Sequence, residues 1–326
     1  MKVRQLFKGK TREMILAAVI ILMGAVVSVI TPSFFTTLNI TNILNGNAVI
    51  GIMSVGMMMV IVTGNIDVSV GPQFAIITML TASYAKAEHG ENVFVTVLLG
   101  ILIGACLGLF NGLVVAKLNI PAIVVTLGTM NIMRGTLYLV TKGHWVEGLT
   151  GPFAKFANAR YMGLPRSVII WFLVLLFTYF ILYHTRIGRD ILAVGGNKIA
   201  AGRIGISRTR AYLCAFGYLG ALTGLAAVLS ASRLKIAQPS NGIGYEMQLI
   251  AATVIGGTVF AGGVASILGT FLGVLLLGII NNGLVLSKIP IYWQDLATGL
   301  ILIIAVASSA FQSKKSIKIR KGGDAK

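Results

Sequence analysis

Apolar residues in this chain gather into long unbroken runs instead of alternating with polar ones. A helix needs about 20 apolar residues to cross a bilayer. Ten segments approach that length: Met14–Ile30, Ile40–Val62, Val70–Ala85, Val93–Ala116, Ile120–Val140, Ser167–Tyr183, Ala211–Ala231, Met247–Phe260, Val264–Leu286 and Tyr292–Phe311. The third and eighth are short, and only a Gly262-Gly263 turn separates the eighth from the ninth. These read as broken or partial spans, which survive only where protein or a water cavity covers the freed backbone. The pattern predicts an all-α polytopic membrane protein of about ten transmembrane helices. Its spans occupy residues 14–311, between a basic segment at 1–13 and a basic tail at 312–326.

Composition agrees with that reading. Of 326 residues, 56% are hydrophobic and 11% charged, against about 25% charged in soluble domains. The net charge of +18 raises the question of nucleic acid. The basic residues, however, sit in the two ends and one internal loop, without the basic, aromatic-interleaved stripe of a nucleic-acid surface. With the N-terminus inside, the inner segments hold 18 Lys and Arg and the outer loops 8, as the positive-inside rule expects. Both termini are therefore expected in the cytoplasm, where the basic tails also meet anionic lipid. The basic start followed by an apolar run imitates a signal peptide, but it lacks a clean cleavage site and reads as a retained first helix.

Internal echoes refine the architecture. Asn111-Gly112-Leu113-Val114 and Asn282-Gly283-Leu284-Val285 are each followed by a Lys and then Ile-Pro, and they end spans of opposite direction. This predicts an inverted five-plus-five repeat. Gly100, Gly104, Gly108 and Gly112 recur every four residues, as do Gly220 with Gly224 and Gly269 with Gly273. Such spacing lets helix backbones approach closely.

Chemistry-bearing residues are few. No phosphate loop, zinc-protease or nucleophile-elbow motif is present. The cysteines Cys106 and Cys214 and the three histidines form no metal-ligand spacing, so neither a metal nor a cofactor is expected on this chain. Asp67 lies in a polar, glycine-bounded break, Thr63–Gly71. An ionisable group near membrane depth signals function, although a cap on the third helix explains it equally. Asn65 and Asp67 in this break, Met57 in a Met-rich second span, and Arg134 inside the fifth span are candidates for the translocation path or its gate. Arg134 alternatively snorkels or finds a structural partner. Glu246 lies near a span end, where exposure is the simpler account.

The internal basic loop at 185–210 is the most informative segment. Asn197 is a good N-cap, and Lys198–Arg203 is predicted to form a short helix. With Ala200, Ala201, Gly202 and Gly205 it presents a small surface suited to docking in a groove of a partner and passing on its motion.

Several linked motifs now resemble one family over nearly the full chain: Asn65–Gly71; Asn111–Ala122 with Thr126–Thr129; Gly188-Arg189 with Gly195-Gly196-Asn197 and Ala200-Ala201; and Ile255–Thr258 with Gly262-Gly263, Gly269-Thr270 and Asn282–Leu284. The chain resembles the ribose-type permeases of bacterial ABC importers. That resemblance implies a pair of permease subunits, identical or homologous, in the inner membrane, with cytoplasmic ATPases and a periplasmic substrate-binding protein. It implies that Asn197–Ser207 seats on the ATPase, while Lys155, Arg160 and Arg166 in an outer loop face acidic residues of the binding protein. Many members carry Gly where this chain has Asn65. Asn65, His144–Leu149 and Ile289–Trp293 look like the subgroup importing autoinducer-2, and rhamnose permeases are similar too. A lone ion-coupled carrier is the competing class; it has no ATPase to dock, and few acids lie within the spans to couple ions. A membrane enzyme is disfavoured by the lack of clustered catalytic groups.

Overall fold

The computed structural model describes residues 3–290 and positions 292, 293, 296, 299, 300 and 303, with side chains from residue 12 onward. Helix α1 (Val3–Ile30) begins within the basic segment. It is followed by α2 (Thr37–Val62), α3 (Val70–Ala87), α4 (Val93–Leu118) and α5 (Ala122–Thr141). A long connection then carries strand β1 (Val146–Glu147), a short α6 (Gly151–Phe156) and a β2–β3 hairpin (Arg160–Tyr161 with Leu164–Pro165). Helix α7 (Arg166–His184) leads to α8 (Arg186–Gly196) and α9 (Lys198–Arg203), then to α10 (Arg208–Leu234). Strand β4 (Ile236–Ala237) pairs antiparallel with β1 and precedes α11 (Tyr245–Ile255) and α12 (Ile267–Leu286).

Helix limits follow local chemistry. Thr36, Ser207 and Ser266 cap α2, α10 and α12 by accepting backbone N–H groups at 3.3, 3.3 and 2.9 Å. Asn119 ends α4 in the left-handed region at φ 54°, ahead of Pro121.

The protein is multi-pass, and the described residues do not confirm the expected count of ten spans. Seven helices among the described residues are long and apolar enough to cross a membrane: α1 from Arg12, α2, α4, α5, α7, α10 and α12. The two short predicted segments are the exceptions. Helix α3 carries Gln73, Thr78, Thr81 and Ser83 and is too polar for a lone span, and α11 has only 11 residues. The predicted tenth span, Tyr292–Phe311, falls largely outside the described residues.

The layering explains how such helices are tolerated. Helices α2 and α10 pack against each other and are buried along most of their length. Helices α1, α4, α5 and α7 turn apolar side chains outward, among them Phe94, Leu139, Leu176 and Phe180, as lipid contact requires. Packing is reciprocal between the halves: α4 and α3 lie on α10, α12 and α11 lie on α2, and α3–α4 matches α11–α12. That is the arrangement expected of an inverted repeat. The first helices depart from it, since α1 packs chiefly on α12 whereas α7 packs on α2.

The glycine ladders form the closest contacts. A Cβ on Gly104 would overlap the Gly220 carbonyl, and one on Gly220 the Gly104 carbonyl. Gly100 and Gly224 are matched in the same way. Gly269 and Gly273 sit against the backbone of Gly256 and Ala252. With no hydrophobic driving force inside lipid, such backbone approach is a main source of helix association.

Candidate functional site

Three places gather the polar residues. The first is the α8–α9 connection. Asn197 caps α9, its Oδ1 accepting the N–H of Ile199 at 3.0 Å and of Ala200 at 2.9 Å, as its sequence context predicted. Lys198, Ala200, Gly202 and Gly205 are exposed, while Ala201 is buried and anchors the helix. Ile199 and Ile204 are 72% and 76% exposed. Two outward isoleucines on a basic loop form an apolar surface that the described residues of this chain leave uncovered.

Helix α8 was not foreseen: Gly188, Gly195 and Gly196 argue against a helix on propensity. Its glycines are placed by sterics. A Cβ at Gly188 would overlap the carbonyls of Ile181 and Leu182, and one at Gly195 the carbonyl of Val62. The end of α8 therefore rests on the end of α2. The same Val62 carbonyl accepts the N–H of Gly263 at 2.8 Å, which brings the Gly-Gly turn before α12 to this junction. Lys198 reaches it from α9, with Nζ 3.8 Å from where a Cβ on Gly64 would lie and 5.8 Å from the Tyr212 ring centroid.

The second place is the break between α2 and α3, residues 63–69. Gly64 turns the chain at φ 76° and Asn65 Nδ2 donates to Thr63 Oγ1 at 2.8 Å. Asp67 is wholly buried. Its Oδ1 accepts from the Ser69 N–H (2.9 Å) and Ser69 Oγ (2.6 Å), and Oδ2 from Gln73 and Asn111 at 3.4 and 3.5 Å. Ser69 Oγ also accepts from Gln73 (2.7 Å) and Asn111 (2.8 Å). Asn111 comes from the repeated Asn-Gly motif on α4. Asp67 is thus the anchor of a sealed network, and neither it nor the fully buried Met57 has surface on an open path in this conformation.

The third is the return from α10 to α11, residues 235–246. Arg134 Nη1 on α5 donates to the carbonyls of Pro239 (2.5 Å) and Asn241 (3.1 Å), so the structural-partner reading describes its contacts. Gly242 and Gly71 meet backbone to backbone, with the Phe74 and Tyr245 rings 5.2 Å apart. The starts of α3 and α11 converge here. Glu246 is not the exposed end residue expected: it is half-buried, with Oε2 2.8 Å from where a Cβ on Gly71 would sit. Nothing local in the sequence signals this, because it depends on the 235–244 segment folding back into the bundle.

In the 142–165 connection, Lys155 and Arg160 are exposed. Arg166 is engaged: Nη2 donates to Tyr161 Oη at 2.7 Å, and the guanidinium lies 5.0 Å from the Phe156 ring and 5.1 Å from the Tyr161 ring.

A multi-pass bundle with reciprocally packed halves, buried polar breaks and an exposed capped helix on a basic loop has the build of a membrane transport subunit. The chain belongs to the permease-component family of the branched-chain amino acid transport system, whose pattern matches residues 39–306. It is similar to the ribose import permease protein of Escherichia coli (strain K12), at 39% identity over 86% of this chain and 88% of that one. The ribose import permease protein of Bacillus subtilis (strain 168) is 37% identical over 86% and 87%. The autoinducer 2 import system permease protein of Photorhabdus laumondii is 34% identical over 90% and 87%. No solved structure matches the chain. The chain is accordingly a transport component and not an enzyme.

Proposed function

We propose that this chain is the membrane-spanning permease subunit of an ABC importer for a monosaccharide or sugar-derived signal. A separate ATPase drives it and a periplasmic binding protein supplies it. The observation that carries this reading is α9, a capped helix with outward isoleucines that is joined through α8 and Lys198 to the α2–α3 break. A lone carrier has no use for such a helix.

On this reading α8, α9 and both termini lie in the cytoplasm, which the 18-to-8 basic asymmetry supports. Asn197, Lys198, Ala200, Ala201, Gly202 and Gly205 then form the ATPase seat, with Ile199 and Ile204 as its apolar anchors. Movement of α9 pulls on Val62 and Gly263 together, and so on the break holding Asn65 and Asp67. Lys155 and Arg160, exposed and without a charge partner among the described residues, face the binding protein. Arg166 does so less well, because aromatic rings and Tyr161 hold its guanidinium. A second permease subunit completes the path. For the substrate, the ribose permeases at 39% and 37% identity favour a pentose over the autoinducer-2 suggested by Asn65.

The test is reconstitution in liposomes with and without the ATPase and binding protein, measuring uptake of labelled ribose, rhamnose and autoinducer-2. Uptake should need every component and ATP, and Ala200→Arg should abolish it while leaving the folded yield intact. Ion-driven uptake by this chain alone, indifferent to Ala200→Arg, would establish a secondary carrier instead.

A further inference from the structure

The return between α10 and α11 leaves polar groups open where a membrane protein ordinarily hides them. Arg134 lies seven residues before the end of α5, about 10 Å along the helix from its terminus. It is half-buried, and its Nη1 alone is satisfied by the Pro239 and Asn241 carbonyls; the remaining guanidinium donors have no acceptor among the described residues. Glu246, in the first turn of α11, is half-buried on the same return, with its carboxylate beside Gly71 where Gly242 also packs. Asn131 and Tyr138 stand three residues before and four after Arg134, so all three share one helix face. Both are exposed, Tyr138 to 42%. On the same side, a Cβ on Gly128 or Gly135 would meet nothing within 4 Å. Ionisable groups at this depth face a water-filled cavity or another protein surface, not lipid.

We propose that Asn131, Arg134, Tyr138 and Glu246 form a transient site on the translocation path for a neutral, polyhydroxylated small molecule. This rests on the permease reading above. The two charges offset each other, so the site favours no ion. Guanidinium and amide N–H groups donate to hydroxyls, the carboxylate and amide oxygen accept from them, and the Tyr138 ring offers an apolar face for C–H groups. The cation is already held by backbone carbonyls and so is fixed before the molecule arrives, while the carboxylate sits in the first turn of α11, where a helix dipole favours negative charge. Incomplete satisfaction suits a path that must release what it binds.

The experiment has two arms. In the first, Asn131→Cys and Ile132→Cys are made in a chain with Cys106 and Cys214 replaced by serine. A membrane-impermeant methanethiosulfonate reagent is then added to intact cells. Asn131→Cys should be labelled. Ile132→Cys, 68% exposed but on a different side of α5, should not. Equal labelling, or none at Asn131→Cys, overturns the site. In the second arm, Arg134→Gln and Glu246→Gln are assayed in the reconstituted complex. Ribose uptake should fall about tenfold while ATP hydrolysis stimulated by the binding protein changes less than about twofold. Unchanged uptake, or a parallel loss of both activities, rejects the site. Wild-type uptake that ignores ATP and binding protein would instead refute the permease reading, whatever the labelling pattern.

Discussion

The two interruptions of the bundle occupy matched positions in its two halves and are built on opposite plans. The break at 63–69 is closed: Asp67 has no exposed surface, and Ser69, Gln73 and Asn111 direct hydrogen bonds onto it. The return at 235–246 is open, with Arg134 and Glu246 half-buried and only part of the guanidinium satisfied. One helix touches both. On α5, Thr126 Oγ1 accepts the Val68 N–H at 3.3 Å, and eight residues on Arg134 holds the 239–241 carbonyls, a separation of about 12 Å. Matched repeats thus need not share duties. One break is a fixed anchor beside the α8–α9 connection; the other, on the proposal above, presents chemistry to what passes.

If the closed break is an anchor, emptying it does the most damage. Asp67→Ala leaves the Ser69 hydroxyl and the Gln73 and Asn111 amides with fewer acceptors at fully buried positions. Each buried donor left unpaired costs about 1–3 kcal/mol. The expected loss is about 3 kcal/mol or more, read as a lowered thermal midpoint and folded yield in detergent. The open break predicts the contrary: Glu246→Gln, made where partial exposure lets water compensate, should shift the midpoint little. Equal destabilisation by the two changes would erase the distinction.

The joint between the breaks comes next. Gly71 and Gly242 approach so closely that a Cβ on either meets the other's backbone, and Gly242 has φ 76°. Gly71→Val must push α3 away from the 242 carbonyl and from Glu246. Overpacking of this kind costs about 1–3 kcal/mol. Transport should fall further than stability does, because the displacement moves Glu246. Comparing uptake and thermal midpoint for Gly71→Ala and Gly71→Val checks this: a loss graded with side-chain size is expected, and an indifferent Gly71→Val would mean the two helix starts do not need their contact.

How much of this was legible in the sequence varies with the range of the interaction. Apolar runs located the helices, because burial in lipid acts on each segment alone. Glycine spacing marked the faces of α4 and α10 where a backbone can approach, since four-residue periodicity is a property of one helix, but not that these two faces meet. The Asn197 cap is equally local. Helix α8 was hidden, because Gly188 and Gly195 are there for contacts with Leu182 and Val62 that no local pattern reveals. The state of Asp67 depends on Asn111, 44 residues away, and that of Glu246 on a segment that folds back beside α3. The expected ten spans go unconfirmed for a related reason: α3 is too polar and α11 too short to span alone, and both are carried inside the bundle by their neighbours.

The smallest effect sharpens the comparison most. Thr126→Val is nearly isosteric and removes the acceptor of the Val68 N–H, a change of about 1 kcal/mol. Arg134→Gln loosens the other break by a similar amount. Effects of changes more than about 7–10 Å apart with no shared partner add to within about 0.3–0.5 kcal/mol. If the breaks serve independent ends, the double variant's stability loss should equal the sum of the singles within that margin, by thermal unfolding of all four proteins. A larger deviation would mean that α5 couples the breaks as one body. The closed anchor and the open site would then be two faces of a single moving element, and a pull on α9 would reach Arg134 directly through Thr126.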